Sequence, residues 1–98
     1  MYKKINPTIS FIELKKLVEP VVFFNSVKGA EYVVEKLEGN TMHFIRKSSG
    51  KKWSMDLTEV LKAYKAITDF KTENFRPYVP RTHSPALGLL LHLGLIRK

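Results

Sequence analysis

Residues 31–57 constrain the fold more than any other part of the chain, because short runs rich in β-forming residues are separated there by tight turn signals. The first two runs are residues 31–38 and 41–47, with only Gly39-Asn40 between them. Glycine accepts a positive φ without strain, so a Gly-Asn pair between two such runs is typical of a tight hairpin. We therefore expect two antiparallel strands here.

A third strand is predicted directly after a second turn. Ser48-Ser49-Gly50 provides the turn, and residues 52–57 follow, in which Trp53, Met55 and Leu57 alternate with polar residues. A period of two indicates one buried face and one solvated face. Sequential strands joined by short turns pair with their neighbours, so the three strands form an antiparallel meander.

An N-terminal helix is predicted from its start signal. Ser10 and Glu13 have the S-x-x-E spacing of a capping box, and Ile9 and Leu14 are placed to form a hydrophobic staple. Pro20 ends the helix, because the residue before proline avoids the helical region. The apolar face of this helix comprises Phe11, Leu14, Leu17 and Val18.

Residues 21–24 are β-branched or aromatic and favour a short strand, although an apolar extension of the helix stays open at this length. A second amphipathic helix follows the meander, with Asp56 or Thr58 as its cap. Its apolar stripe recurs at helical spacing, which indicates a helix packed on the sheet. The stripe comprises Leu57, Val60, Leu61, Tyr64 and Ile67.

The C-terminal third is predicted to be a connector and a short helix. Residues 70–83 have no clean period and are interpreted as an extended connector held to the domain by its aromatic side chains. Ser84 as cap and Pro85 at the first helical position then start a helix over residues 86–93, and Gly94 is placed to stop it.

These elements predict a single α+β domain over all 98 residues. It has a three- to four-stranded antiparallel meander packed by an N-terminal helix, a central amphipathic helix and a short apolar C-terminal helix. Its parts are a core at 10–68, a connector at 69–83 and the C-terminal helix at 84–95. The predicted core residues are Tyr32, Val34, Phe44, Trp53, Met55, Leu57, Leu61 and Tyr64.

The C-terminal helix is apolar on all sides, so something must cover it. We expect a homodimer or another protein partner to contact it through Leu87, Leu90 and Leu91. The alternative is a helix wedged wholly into its own domain, where Gly88 allows a close approach. In the first case the chain is a protein-interaction or accessory domain that acts through this helix.

Charge is the strongest global indication of function. Seventeen Lys and Arg against nine Asp and Glu give a net charge of +8. The excess is uneven: residues 41–55 hold four cations and no acid, whereas residues 29–40 are acidic. Uneven positive charge favours an anionic partner such as nucleic acid, and solubility alone is the alternative explanation.

The leading hypothesis is a non-catalytic module that binds nucleic acid, DNA included, by contacting phosphates. The basic turn, with its two serine hydroxyls and its main-chain amides, is the expected phosphate site. Trp53 beside this turn suits base stacking, but its alternation with Met55 and Leu57 favours a place in the core beneath a helix. The predicted contact residues are Arg46, Lys47, Lys51, Lys52, Arg76 and Arg81.

Other functions are not expected. The chain has no cysteine, and its three histidines lack metal-ligand spacing, so we predict no metal site. The turn at Ser48 lacks the order of a nucleotide-binding loop, and no catalytic pair stands out, so we predict no enzyme and no cofactor. The N-terminus has no long apolar stretch behind its two lysines, so a signal peptide is not expected. The most apolar stretch, residues 86–96, is interrupted by His92 and is too short for a membrane span of about 20 residues, and a cytoplasmic location is expected.

Overall fold

The computed structural model describes residues 2–98 and confirms the α+β fold. Strand β1 (Lys3–Lys4) precedes helix α1 (Phe11–Val18) and strand β2 (Phe23–Asn25). Helix α1 begins with the predicted capping box. The Glu13 amide donates to Ser10 Oγ at 3.2 Å, and the Ser10 amide donates to Glu13 Oε1 at 3.1 Å. Both residues of the predicted staple, Ile9 and Leu14, are buried.

The predicted meander forms three consecutive strands of a four-stranded antiparallel sheet with the order β2-β3-β4-β5. A tight turn connects strand β3 (Glu31–Glu38) to β4 (Thr41–Arg46), and β5 (Lys52–Asp56) completes the sheet. Gly39 has a φ of 60° in the turn, which explains a glycine at this position. Residues 21–24 therefore contribute an edge strand rather than a helical extension.

Helix α2 (Leu57–Ala66) follows β5 without a loop, and Asp56 is its cap. The Thr58 amide donates to Asp56 Oδ1 at 2.8 Å. Most of the predicted core residues are buried in the structure. Tyr32, Phe44, Met55, Leu57 and Tyr64 are buried, and Val34, Trp53 and Leu61 are partly buried against them.

The connector is more compact than the extended segment that the sequence predicts. It contains a 3-10 helix (Thr72–Phe75), and its aromatic residues Phe70 and Phe75 are buried in the core. The Val79 amide donates to the Phe75 carbonyl at 2.8 Å and keeps the chain turning. Anchoring by aromatic side chains is thus as expected, but the backbone between them is folded.

Helix α3 (His83–His92) starts earlier than predicted. Thr82, and not Ser84, is its N-cap, and Pro85 is the third helical residue. Proline is tolerated there because the amides of the first turn have no partner within the helix. Strand β6 (Ile96–Arg97), which the sequence analysis missed, pairs with β1 and joins the two ends of the chain.

The apolar helix is covered by its own chain. Residues 85–90 of α3 are all buried, and the helix packs against β2, β6 and the 3-10 helix. Leu87 and Leu90, expected at an interface, are core residues here, and Leu91 is partly buried against the core. The need for a cover, which was the reason for expecting a partner at these leucines, is met within the chain.

Gly88 permits this arrangement. A Cβ at residue 88 would lie 2.2 Å from the Asn25 carbonyl oxygen and 2.8 Å from Ser26 Cα. Only a glycine lets α3 approach the β2 backbone this closely. Separately, no helix among residues 2–98 is long and apolar enough to cross a membrane.

Candidate nucleic-acid interface

A basic groove of about 610 Å³ lies along β5, beside the predicted turn. It joins two distant parts of the chain, the start of β5 and the connector before α3. Three of the predicted contact residues meet here, and all three are exposed. The lining residues are Lys51, Lys52, Trp53, Ser54 and Arg81. We call this surface the β5 groove.

Trp53 lies at the base of the β5 groove and belongs partly to the core. It faces Phe44 across the β4–β5 ladder, and Phe44 is fully buried. Trp53 is half-buried, and its strand β5 lies at the edge of the sheet. Its Nε1 atom is buried and has no hydrogen-bond partner among residues 2–98. The side chain therefore packs on the core, as the alternation predicts, and its remaining surface lines the groove.

A lysine covers the tryptophan ring on the groove side. Lys51 Nζ lies 4.7 Å from the Trp53 ring centroid, which is within cation–π range. The Lys51 side chain is exposed, so its ammonium can leave the ring for an anion at little cost. The contact shows that the ring is accessible to a charged or planar group.

Three main-chain amides in and beside the basic turn donate hydrogen bonds within the protein. The Gly50 amide donates to the Arg46 carbonyl at 2.7 Å, and the Lys51 amide donates to Ser49 Oγ at 3.3 Å. The Lys47 amide donates to the Glu31 carbonyl at 2.9 Å. These three amides are therefore committed within the protein and are not free to bind an anion.

A second basic cleft of about 640 Å³ lies on the other side of the same turn. Arg46 and Lys47 line it, together with Lys28 and Ser48. Glu31 also lines it, and Lys47 Nζ lies 3.4 Å from Glu31 Oε2. The predicted contact residues are thus divided between two surfaces, and the second carries a partly neutralised charge.

Lys28 is a basic residue that the sequence analysis did not assign to the site. It lies in the loop between β2 and β3, and the basic turn connects β4 and β5. Alternate connections of an antiparallel meander lie at the same end of the sheet. This rule, applied to the predicted strand order, would have placed Lys28 beside Lys47.

Arg76 lies apart from both basic surfaces. It is the exposed residue that follows the 3-10 helix, and it lines neither the β5 groove nor the second cleft. Arg81 instead reaches the groove because residues 78–82 run beside β5. There the groove continues into a smaller recess lined by Ser54, Asp56, Tyr78, Val79, Pro80, Arg81 and Thr82.

Three carboxylates of the sheet, Glu31, Glu38 and Asp56, are paired or cap a helix. Lys36 Nζ lies 3.3 Å from Glu38 Oε2 and, as a hydrogen-bonded cation, holds the pKa of Glu38 below its ordinary value. His43 Nε2 lies 3.4 Å from the other oxygen of Glu38. Asp56 caps α2. Among residues 2–98, His, Asp and Glu form no group of three or more that would hold a metal ion.

Comparison with protein-family models, with curated proteins and with solved structures finds no match to this chain. The functional argument therefore rests on the geometry and charge of the residues described above.

Proposed function

We propose that the protein is a non-catalytic nucleic-acid-binding module whose principal phosphate contacts are Lys51, Lys52 and Arg81. One observation carries the proposal: these three cations, drawn from two distant segments, line one groove together with a half-buried tryptophan. No carboxylate is among the residues that line this groove. Unpaired cations around an aromatic ring favour an anion that also has a planar, stacking part.

The second cleft supports a polymeric ligand rather than a small anion. The β5 groove and the cleft at Lys28, Arg46 and Lys47 flank the same turn, so a chain of phosphates crossing the turn would meet cations on both sides. The net charge of +8 adds attraction at long range. We place the main contacts in the β5 groove because Glu31 offsets part of the charge in the cleft.

The proposal requires no reaction, no cofactor and no metal ion. Lysine and arginine contacts to phosphates position a protein on its ligand and carry little sequence information. We therefore propose binding with weak sequence preference. A cytoplasmic location fits a cysteine-free chain with this function and is part of the same proposal.

Fluorescence anisotropy with a labelled oligonucleotide at low salt tests this function. Replacing Lys51, Lys52 and Arg81 together by alanine should abolish or strongly weaken binding, and these exposed residues should not affect the melting temperature. The matched control replaces three exposed helix lysines, Lys16, Lys62 and Lys65, and removes the same charge. Wild-type protein that fails to bind any nucleic acid would contradict the proposal.

A second candidate function is self-association, and an exposed apolar cleft favours it. The cleft has a volume of about 320 Å³ and lies where α1 and α3 end and β2 begins. Val22 is 67% exposed and Phe23 is 57% exposed, which is unusual for large apolar side chains. The Phe23 and His92 rings meet edge-on, 6.2 Å apart. The lining residues are Leu17, Pro20, Val21, Val22, Phe23, His92 and Leu93.

A second copy of this chain is the partner we propose for the apolar cleft. Its lining holds no Asp, Glu, Lys or Arg, and an uncharged apolar surface is complementary to itself, as a two-fold interface requires. Only the C-terminal end of α3 takes part, and not Leu87 and Leu90. The cleft lies by β2 and the groove by β5, at opposite edges of the sheet, so the two functions are separable.

Sedimentation tests this second candidate. Wild-type protein should show a mass near that of two chains at micromolar concentration, and Phe23→Ser should shift it to one chain. Ile12→Ser is the control, because Ile12 is 69% exposed and does not line the cleft. A wild-type monomer at high concentration would contradict self-association and leave the nucleic-acid proposal unaffected.

A further inference from the structure

We infer that the nucleic acid bound in the β5 groove is single-stranded, with one base stacked on Trp53 and a neighbouring phosphate held by Arg81. This inference rests on the proposed function and specifies its ligand. It follows from where Trp53 lies, from what now covers its ring, and from how Arg81 connects the groove to Tyr78.

The position of Trp53 excludes a base that remains within a duplex. Proteins read intact duplexes by inserting a helix or a β-ribbon into a groove of the DNA. Trp53 instead lines a concave surface, where it is half-buried beside the exposed Lys51 and Lys52. A base can reach the ring only if it leaves its stack, and unpaired bases of a single strand do so at the lowest cost.

The Trp53 ring is held firmly enough to act as a stacking surface. Its Nε1 edge is buried, and the side chain packs against the core beside Phe44. The part of the ring that remains accessible faces the groove, where Lys51 Nζ lies over it at 4.7 Å. A base can replace the ammonium on the ring, and the freed lysine then contacts the phosphate that arrives with the base.

Arg81 lines two adjoining recesses, and each of them contains an aromatic residue. It lines the β5 groove with Trp53, and it also lines the adjoining recess with Tyr78, which is half-buried. A strand that follows the two recesses passes from one aromatic ring to the other and meets the Arg81 guanidinium between them. Guanidinium suits this place because it binds phosphate through two parallel donors. Asp56 lines the same adjoining recess, and its acidic side chain limits how far the nucleic-acid strand can extend there.

Trp53 is the only tryptophan in the chain, so its fluorescence reports on this groove alone. The probes are a DNA strand of about 12 nucleotides, within the usual site size of single-strand binders, and the same strand annealed to its complement. We expect the single strand to bind at least about tenfold more tightly and to quench Trp53 emission. The duplex should leave the emission almost unchanged.

Substitutions then test the stacking contact. Trp53→Leu should weaken single-strand binding by about 5- to 150-fold, the range of one lost base stack. Trp53→Phe keeps an aromatic ring and should retain most of the affinity. If the leucine variant fails to fold, the quenching of Trp53 emission in the wild-type protein remains the test of the stacking contact. Arg81→Ala should weaken binding while leaving the emission of free Trp53 unchanged.

The outcomes separate this inference from the proposed function. Duplex binding that equals or exceeds single-strand binding would overturn the inference and leave the nucleic-acid function standing. Single-strand binding without quenching, and with full affinity in Trp53→Leu, would overturn the stacking contact in the same way. Wild-type protein that binds neither probe would overturn both.

Discussion

The hydroxyl of Tyr64 donates a hydrogen bond to the main-chain carbonyl of Leu95 at 2.7 Å. The same hydroxyl accepts a hydrogen bond from the Asn6 amide at 3.0 Å. Tyr64 lies on α2 and is fully buried, so one oxygen connects the central helix to both ends of the chain. The β1–β6 pair continues this connection, and the Ile5 amide donates to the Leu95 carbonyl at 2.9 Å.

Tyr64→Phe should destabilise the protein by about 1–3 kcal/mol, because it leaves the Asn6 amide and part of the Leu95 carbonyl capacity unsatisfied. Urea unfolding followed by circular dichroism measures this loss. Tyr78→Phe is the control, because the Tyr78 hydroxyl has no hydrogen bond to another described residue. A Tyr64→Phe variant as stable as Tyr78→Phe would show that the chain ends do not depend on this contact.

Gly88→Ala should cost about 1–3 kcal/mol or more. The new Cβ would lie 2.2 Å from the Asn25 carbonyl oxygen, and backbone rather than a flexible side chain would have to move. Ser84→Ala, at a half-buried position of the same helix, supplies the comparison and should change stability little. Equal melting temperatures for the two variants would contradict the close packing of α3 on β2.

Trp53→Ala should cost less stability than Phe44→Ala, although the two residues face each other across one ladder. Phe44 is fully buried, so its removal should cost about 3–5 kcal/mol. Trp53 is half-buried and loses fewer contacts. Denaturant unfolding of both variants decides the point, and equal costs would assign Trp53 wholly to the core.

The capping box of α1 predicts that the stability of the protein decreases at acidic pH. The amide and hydroxyl of Ser10 stabilise the charged carboxylate, so the pKa of Glu13 lies below its ordinary value. This contribution is present above the ordinary glutamate pKa of about 4.3 and is lost as the pH falls through the lower value of the folded state. Wild-type protein should therefore exceed Glu13→Gln in stability at about pH 6, and the difference should shrink towards about pH 3. Unfolding at both pH values measures it, with the exposed Glu35→Gln as background, and a constant difference would contradict the account.

Local patterns predicted the sheet, and long-range packing explains what they missed. The alternation around Trp53 and the Gly39-Asn40 pair identified the β3–β4–β5 meander because a tight turn forces neighbouring strands to pair. Strand β6 is only two residues long and pairs with β1 at the other end of the chain, so no local signal marks it. The leucines of α3 correctly indicated that this helix is buried. They do not by themselves reveal which surface covers it.

The candidate site likewise contains residues that a local pattern groups and one residue that long-range packing brings to them. Lys51, Lys52 and Trp53 are adjacent in the sequence, so one turn and one strand were enough to group them. Arg81 was among the predicted contacts, but its place beside Trp53 depends on how the connector packs after Phe75 is buried. Arg76, five residues earlier and similar in sequence context, lies outside the groove because the chain turns between the two.

The salt dependence of single-strand binding tests the central claim most directly. On single-stranded DNA each phosphate contact contributes about 0.7 to the slope of log affinity against log salt concentration. Alanine at Lys51, Lys52 and Arg81 should therefore lower the slope by about 2, whereas alanine at Lys16, Lys62 and Lys65 should leave it nearly unchanged. Equal slopes for the two triple variants, or a wild-type protein that binds no nucleic acid at low salt, would contradict the assignment of the β5 groove.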